Sequence, residues 1–357
     1  MTKRRVFIIA EAGVNHNGDL DKALRLVEAA ADAGADCVKF QTFTADGLAG
    51  TSAEKATYQK ATTAADESQL DMLRRLELPR AWHLKLIERC EARGLVFLST
   101  PFELQSLAFL AEELRLDLIK LGSSELTNAP LLYAAGRTAK KLIVSTGMGT
   151  LAETEAALGA IACGGLGRAP GRAAFSAAFA SDQGKSLLAE RVTLLHCVTE
   201  YPSPEEETNL RAMDALRNAF RLRTGYSDHT MGTAVSIAAV ALGAEVIEKH
   251  VTLDRSMPGP DHRASLEPAE LKEMVVAIRH VENALGDGVK APCPSEIKNM
   301  AIARKSLVAA RAIRAGELFS AENVTTKRPG SGRSPFDYWE VLGRPAARAY
   351  SEDEVIT

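Results

Sequence analysis

Six short stretches of the 357-residue chain put reactive side chains at the ends of apolar runs: "IIAEAG", "VKFQTF", "FLSTPFE", "IKLGSSE", "GYSDHT" and "VIEKH". The last two carry His229 and His250. Two neutral imidazoles that leave several positions open suit a catalytic divalent metal that keeps water and substrate oxygens as ligands. The alternative for each histidine is a structural hydrogen bond. Lys39 and Lys120 interrupt otherwise apolar segments, and a buried ammonium is costly unless paired. They imply an anionic ligand, or a salt bridge to Glu11 or Glu125. "GSSE" (122–125) and "STGMG" (145–149) add Ser123, Ser145 and glycine-freed amides beside Lys120, a cradle for phosphate or plain strand-to-helix turns. Together these groups favour a small phosphorylated or carboxylated substrate, with Glu125 as general acid or base or as a lysine partner. Of the other histidines, His83 and His280 fall in helical patterns and are expected in solvent. His196 reads as core or as support for the site, and His16 and His262 lie in loops near it.

Such groups act together only if the fold collects them. Short β-branched runs alternate with helical patterns up to about residue 286, the signal of a parallel sheet. The expected strands cover 6–13, 37–43, 96–102, 118–124, 142–149, 192–202, 223–230 and 246–253, with amphipathic helices after most of them. Eight strand–helix units are what a closed (β/α)₈ TIM barrel requires. The open doubly wound sheet is the alternative, but "AEAGVNHNG" does not supply its G-x-G-x-x-G turn. In a barrel the C-terminal strand ends converge on one mouth. That mouth would collect Glu11, Lys39, Gln41, Thr100, Lys120, Ser123, Glu125, Ser145, Thr146, Thr199, Tyr201, Ser227, His229 and His250.

Two segments exceed this rhythm. Residues 44–78 follow the second strand and suit a lid or substrate loop. Residues 166–190, rich in Ala, Gly and Ser, read as a solvated excursion on the opposite face. The expected catalytic barrel is 1–286, a linker spans 287–303, and 304–357 forms a small β-rich domain whose isolated core is marginal.

A net charge of −3 gives no broad basic field for nucleic acid or anionic membrane. Five scattered cysteines without a C-x-x-C pair suit a reducing compartment. The opening "MTKRRVFIIAEAG" mimics a signal peptide, but Glu11 cuts the apolar run short and no small-residue cleavage site follows. No apolar run approaches membrane-spanning length. The expectation is a soluble cytoplasmic protein.

In this order the motifs "IAEAGVNHNG", "VKFQTF", "FLSTPFE", "IKLGSSE", "STGM", "LLHCVTEYPSP", "GYSDHTMG", "EKHVTLDRSMPGPDH" and "TTKRPGSGRSP" resemble the sialic acid synthase family. That family condenses phosphoenolpyruvate with an N-acylated mannose-type sugar. The C-terminal part looks like the family's antifreeze-like (SAF) domain, which there reaches over a partner's barrel in a swapped homodimer. The resemblance implies a divalent metal, typically manganese with magnesium or cobalt as alternatives, on His229 and His250. It implies phosphoenolpyruvate on Lys39, Thr100, Lys120, Ser123, Ser145 and Ser227, and sugar contacts from Glu11, Gln41 and Tyr201. Glu125 and Asp261 would sit near the proton transfers, and Arg328 of a second subunit would meet the sugar's N-acyl group. The chain departs from the family at Val198, Thr199 and Glu205–Thr208.

The activity implied first is N-acetylneuraminate synthesis from N-acetylmannosamine. N,N′-diacetyllegionaminate synthesis from 2,4-diacetamido-2,4,6-trideoxymannose is the nearest alternative. Two remoter readings are a pyruvate aldolase with Lys120 as Schiff-base amine, and a carbohydrate-binding module without catalysis.

Overall fold

The computed structural model describes residues 5–63 and 67–357, so the basic opening of the chain and residues 64–66 of the 44–78 segment lie outside the described residues. Eight parallel strands form one sheet: β1 Phe7–Gly13, β2 Cys37–Thr42, β3 Val96–Pro101, β4 Leu118–Leu121, β5 Lys141–Ser145, β6 Val192–Cys197, β7 Arg223–Asp228 and β8 Val246–His250. Their order is β3-β2-β1-β8-β7-β6-β5-β4, and β3 packs beside β4, which closes the expected barrel. The helices between them start and stop on local chemistry. Asp19 caps the helix Leu20–Ala33 by accepting from the amides of Asp21 and Lys22, and Gly34 ends it at φ 82°, a left-handed conformation without penalty for glycine.

Side chains alternate across a strand, so every second residue enters the barrel. Ile9, Cys37, Leu98, Ile143, Leu195 and Val246 form one apolar interior layer. Two residues further along the same strands stand Glu11, Lys39, Thr100, Ser145, Cys197 and Glu248, a layer that is polar apart from its thiol. Gly225 belongs to the apolar level, where a Cβ would lie 2.2 Å from the Val246 carbonyl oxygen and 2.8 Å from Leu195. Only glycine lets β7 approach that closely. The odd member of "EKH" faces outward. Lys249 is buried between β8 and its helix layer, 3.0 Å from Asp228 and bonded to the Thr230 carbonyl at 2.6 Å.

Two expectations need correction. Residues 166–190, read as a solvated excursion, are mostly exposed but helical rather than loop. They form the helices Arg172–Ala180 and Asp182–Arg191, and Ala178 and Leu188 join the apolar cluster under the helix Leu151–Gly165. Alanine-rich sequence favours helix, and Gly159 lets Phe175 come close, since a Cβ there would lie 2.7 Å from the Phe175 carbonyl oxygen. His83 is not in solvent. It is fully buried, Nδ1 donating to the Pro79 carbonyl (3.2 Å) and Nε2 accepting from Thr42 Oγ1 (2.9 Å), which in turn lies 2.6 Å from Ser99 Oγ.

Burial lowers the His83 pKa from 6.5 to about 4. Its contribution to stability is therefore complete above pH 6.5 and is lost as pH falls toward 4, because only the unfolded imidazole takes a proton in that window. Within it the slope of unfolding free energy against pH should be shallower in His83→Gln than in the parent by about 1.4 kcal/mol per pH unit. Denaturant titrations across the window measure the difference, and equal slopes would show that His83 protonates freely in the native state.

The chain divides between Gly286 and Asp287 into two compact units. The second contains the helix Pro294–Ala303, within the stretch expected to be linker, and the antiparallel pair β9 Ser306–Ala309 and β10 Val324–Lys327. Leu307, Ala309, Ile313, Phe319, Val324 and Tyr350 are among the residues of its small core. Among the described residues no helix is long and apolar enough to cross a membrane.

Candidate active site

The barrel mouth holds a cavity of about 490 Å³ whose floor is the polar layer. Strand register sets who meets whom. Glu11 pairs with Lys39 on one side and His250 on the other, and Ser227 pairs with Glu248. Lys39 Nζ lies 2.9 Å from Glu11 Oε1, 3.1 Å from Thr100 Oγ1 and 3.6 Å from Glu248 Oε2. Lys120 Nζ lies 3.4 Å from Glu248 Oε1, which also accepts from Ser227 Oγ at 2.8 Å. Two ammonium groups and two carboxylates thus share a floor closed to solvent, where charge is stable only through its partners.

The two carboxylates divide the lysines unequally. Burial pulls both toward the neutral acid, but Lys120 and Lys39 together outweigh it at Glu248 and hold that carboxyl at about 2. Glu11 has Lys39 alone in direct contact and repulsion from Glu248 besides, so burial prevails and raises it to about 7 despite its short ion pair. Glu11 is therefore able to give or take a proton near neutrality. Asp261, buried at the rim, is pushed up to about 6 by burial.

One level above the floor stand the histidines. Their ring centroids are 5.3 Å apart, with Tyr201 at 4.1 Å from His229 and Tyr58 at 5.0 Å from Tyr201. His229 donates Nδ1–H to the Val198 carbonyl at 2.6 Å, which leaves Nε2 as the nitrogen open to a ligand; Cys197 Sγ lies 3.7 Å from Nδ1, and against the pull of burial Cys197 and the Val198 carbonyl raise the His229 pKa above 6.5. His250 Nδ1 is buried without a hydrogen-bond partner among the described residues and lies 3.9 Å from Asp261. Burial, with His229 adding to it, keeps the His250 pKa far below 6.5 and the ring neutral. No group of three or more His, Cys, Asp or Glu side chains arranged to hold a metal occurs among the described residues. The pair nevertheless suits a cation that takes its remaining ligands from water and substrate. The His250 ring nitrogen and the Oε2 atoms of Glu11 and Glu248 are buried polar atoms without a hydrogen bond among the described residues, although Glu248 Oε2 keeps its ion contact with Lys39.

On the other side of the floor Ser123 Oγ accepts from the Gly147 amide at 3.0 Å, and Ser145 Oγ is buried without a hydrogen-bond partner among the described residues. A Cβ at Gly147 would lie 2.4 Å from Thr199 Oγ1 and 2.7 Å from Ser123 Oγ, so any side chain there would fill the cradle.

The structure thus brings together Glu11, Lys39, Gln41, Thr100, Lys120, Ser123, Ser145, Tyr201, Ser227, His229, His250 and Asp261. It does not bring in Glu125. That carboxylate accepts from Asn128 Nδ2 at 2.6 Å, while Asn128 Oδ1 caps the helix Ala129–Arg137. Arg328 follows β10 in the second unit, is exposed and is not among the cavity's lining residues. Sequence reasoning missed Glu248 as the carboxylate joining the lysines, and Cys197, Tyr58 and Gln69 as lining residues. The signal for Glu248 was its even spacing from His250, which puts both inside the barrel.

Comparison with known proteins gives consistent matches. The NeuB family profile matches residues 26–290 and the SAF domain profile matches residues 304–357. The N,N'-diacetyllegionaminic acid synthase of Campylobacter jejuni is 50% identical over 353 residues, covering 99% of either chain. The protein of the same name from Legionella pneumophila is 42% identical over 94% of this chain and 89% of its own. Among solved structures, the N-acetylneuraminic acid synthetase of Leptospira borgpetersenii, in complex with citrate, superposes with a TM-score of 0.68 at 32% identity, covering 84% of this chain and 91% of that one.

Proposed function

Because the chain belongs to the NeuB family of nonulosonic acid synthases, which join phosphoenolpyruvate to a sugar, we propose that it condenses phosphoenolpyruvate with open-chain 2,4-diacetamido-2,4,6-trideoxymannose, releasing phosphate and N,N′-diacetyllegionaminate. The relatives at 50% and 42% identity carry that name, so this acceptor replaces N-acetylmannosamine as the first reading. Family membership sets aside the Schiff-base aldolase and the non-catalytic module.

The observation that carries the proposal is the floor, where two buried lysines face hydroxyls and a glycine-opened cradle. Lys39, Thr100, Lys120, Ser123, Ser145 and Ser227 hold the phosphate and carboxylate of phosphoenolpyruvate, whose charge takes over lysine contacts now made by Glu11 and Glu248. Gln41, Tyr201 and Glu11 orient the sugar's aldehyde end above it, so that the methylene carbon and the carbonyl carbon meet in one geometry. A divalent ion on His229 and His250, manganese by the family resemblance, would supply Lewis acidity toward the aldehyde oxygen. As the new carbon–carbon bond forms, the alkoxide takes a proton from Glu11 or Asp261, groups poised near neutrality. Water adds to the cationic carbon and gives up its proton, and the tetrahedral intermediate breaks its carbon–oxygen bond to expel phosphate.

A swapped homodimer in which Arg328 of one copy meets the sugar's N-acyl group on the other is part of the same proposal. One assay tests the whole: phosphate release from phosphoenolpyruvate with either sugar, with manganese or chelator, for the parent and Arg328→Ala. Release that needs both metal and the diacetamido sugar is the expected result, with the sugar KM raised about tenfold or more in Arg328→Ala by loss of a charged hydrogen bond. Efficient turnover of N-acetylmannosamine alone would overturn the acceptor, and an unchanged KM the role of Arg328.

A further inference from the structure

The segment after β2 gives the cavity a wall unlike its floor. Leu48, Met72 and Leu73 line it, and they continue outward into an apolar cluster with Val14, Phe43 and Leu76. Two glutamines interrupt this wall, and the Oε1 of one, Gln59, accepts from the Ala56 amide at 2.9 Å. Gln69 opens the helix Gln69–Leu76, lines the same cavity, and has Oε1 buried with no hydrogen-bond partner among the described residues. An acceptor left unpaired in this way costs free energy, so its donor is to be sought in a ligand.

An apolar surface around one amide acceptor is the complement of an acetamido group, which presents a methyl and an N–H side by side. The tilted ring contacts of Tyr58 with Tyr201 and of Tyr201 with His229 give the direction. With the aldehyde carbon at the histidines and the floor filled by phosphoenolpyruvate, the far carbons of the sugar lead toward the segment that carries Tyr58. We infer that Gln69 accepts a hydrogen bond from the acetamido N–H on C4 of the acceptor sugar, and that Leu48 and its apolar neighbours receive the methyl group at C6. This rests on the diacetamido reading above and assigns the residues that enforce it. A sugar with a hydroxyl at C6 strands that hydroxyl against Leu48, a desolvation without compensation.

The test compares kcat/KM for three acceptors: 2,4-diacetamido-2,4,6-trideoxymannose, N-acetylmannosamine, and 2-acetamido-2,6-dideoxymannose, which has the C6 methyl but no C4 acetamide. In Gln69→Leu the ratio of the first to the third should fall about tenfold, the worth of one buried hydrogen bond and its unpaired partner. In Leu48→Ser the ratio of the third to the second should fall severalfold, since a new hydroxyl can meet the one at C6. Ratios unchanged in both variants, in a parent that prefers the diacetamido sugar, would overturn this inference alone. A parent that prefers N-acetylmannosamine would overturn the acceptor reading and this inference with it.

Discussion

Glu248→Gln should melt between about five and ten degrees below the parent, and inorganic phosphate should raise its melting temperature more than it raises the parent's. Glu248 is the one carboxylate in contact with both floor lysines, at 3.4 Å from Lys120 and 3.6 Å from Lys39, and all three side chains are buried. Neutralising it keeps the shape of the side chain and a partner for Ser227 but leaves two ammonium groups with Glu11 alone, a carboxyl already raised to about 7. Breaking a buried ion pair from one side costs roughly 3–5 kcal/mol. The second half of the prediction fixes the cause. A merely structural carboxylate would lower stability with no change in the response to phosphate. If the lysines form the anion seat, losing the competing carboxylate makes phosphate bind more tightly, and stabilisation grows with the ratio of free ligand to Kd. Differential scanning fluorimetry with increasing phosphate measures both halves. A smaller phosphate response in the variant would overturn the seat.

What the sequence made legible follows the range of the interactions involved. Strand positions and the small β-rich unit depend on local pattern and turn chemistry, and seven of the eight strands lie within the runs read from it, while β5 starts one residue early, at Lys141. The ends overshot, because "STGMG" and "CVTEYP" continue the polar alternation after the ladder has stopped. Glu248 illustrates what local reading loses. Its type and its neighbours "EKH" were plain, but its partners stand on β2, β4 and β7, and cross-barrel partners are set by closure and register. Glu125 lies outside the cavity lining for the converse reason. It follows the strand by a few residues, and the turn that carries it rotates its carboxylate onto Asn128. The helices of 166–190 were hidden by composition, since alanine with glycine and serine reads as loop until a neighbour such as Leu151–Gly165 gives its weak apolar face something to cover. The acceptor was illegible because Leu48, Gln69 and Leu73 form a wall only once the segment after β2 folds back over the mouth.

The histidine pair yields the other large effect. His250→Ala should lose the melting-temperature increase that manganese gives the parent, and turnover should fall at least on the order of 10²–10³-fold, the scale of deleting one main stabiliser of a developing oxyanion. Two readouts keep this from being a statement about folding. His250 touches neither lysine, so the stabilisation by phosphate should persist in the variant while that by manganese disappears. The converse should hold for Lys120→Met, which removes one floor cation and leaves the ring pair, 5.3 Å between centroids, in place. Opposite losses in the two variants would mean that anion and cation sit on separate levels of one barrel, two residues apart along β8, as Glu248 and His250 do. Manganese stabilisation that survives in His250→Ala would move the cation off the histidines. The proximity of His250 to Asp261 (3.9 Å) and Tyr201 would then be only the packing of a neutral ring at the rim.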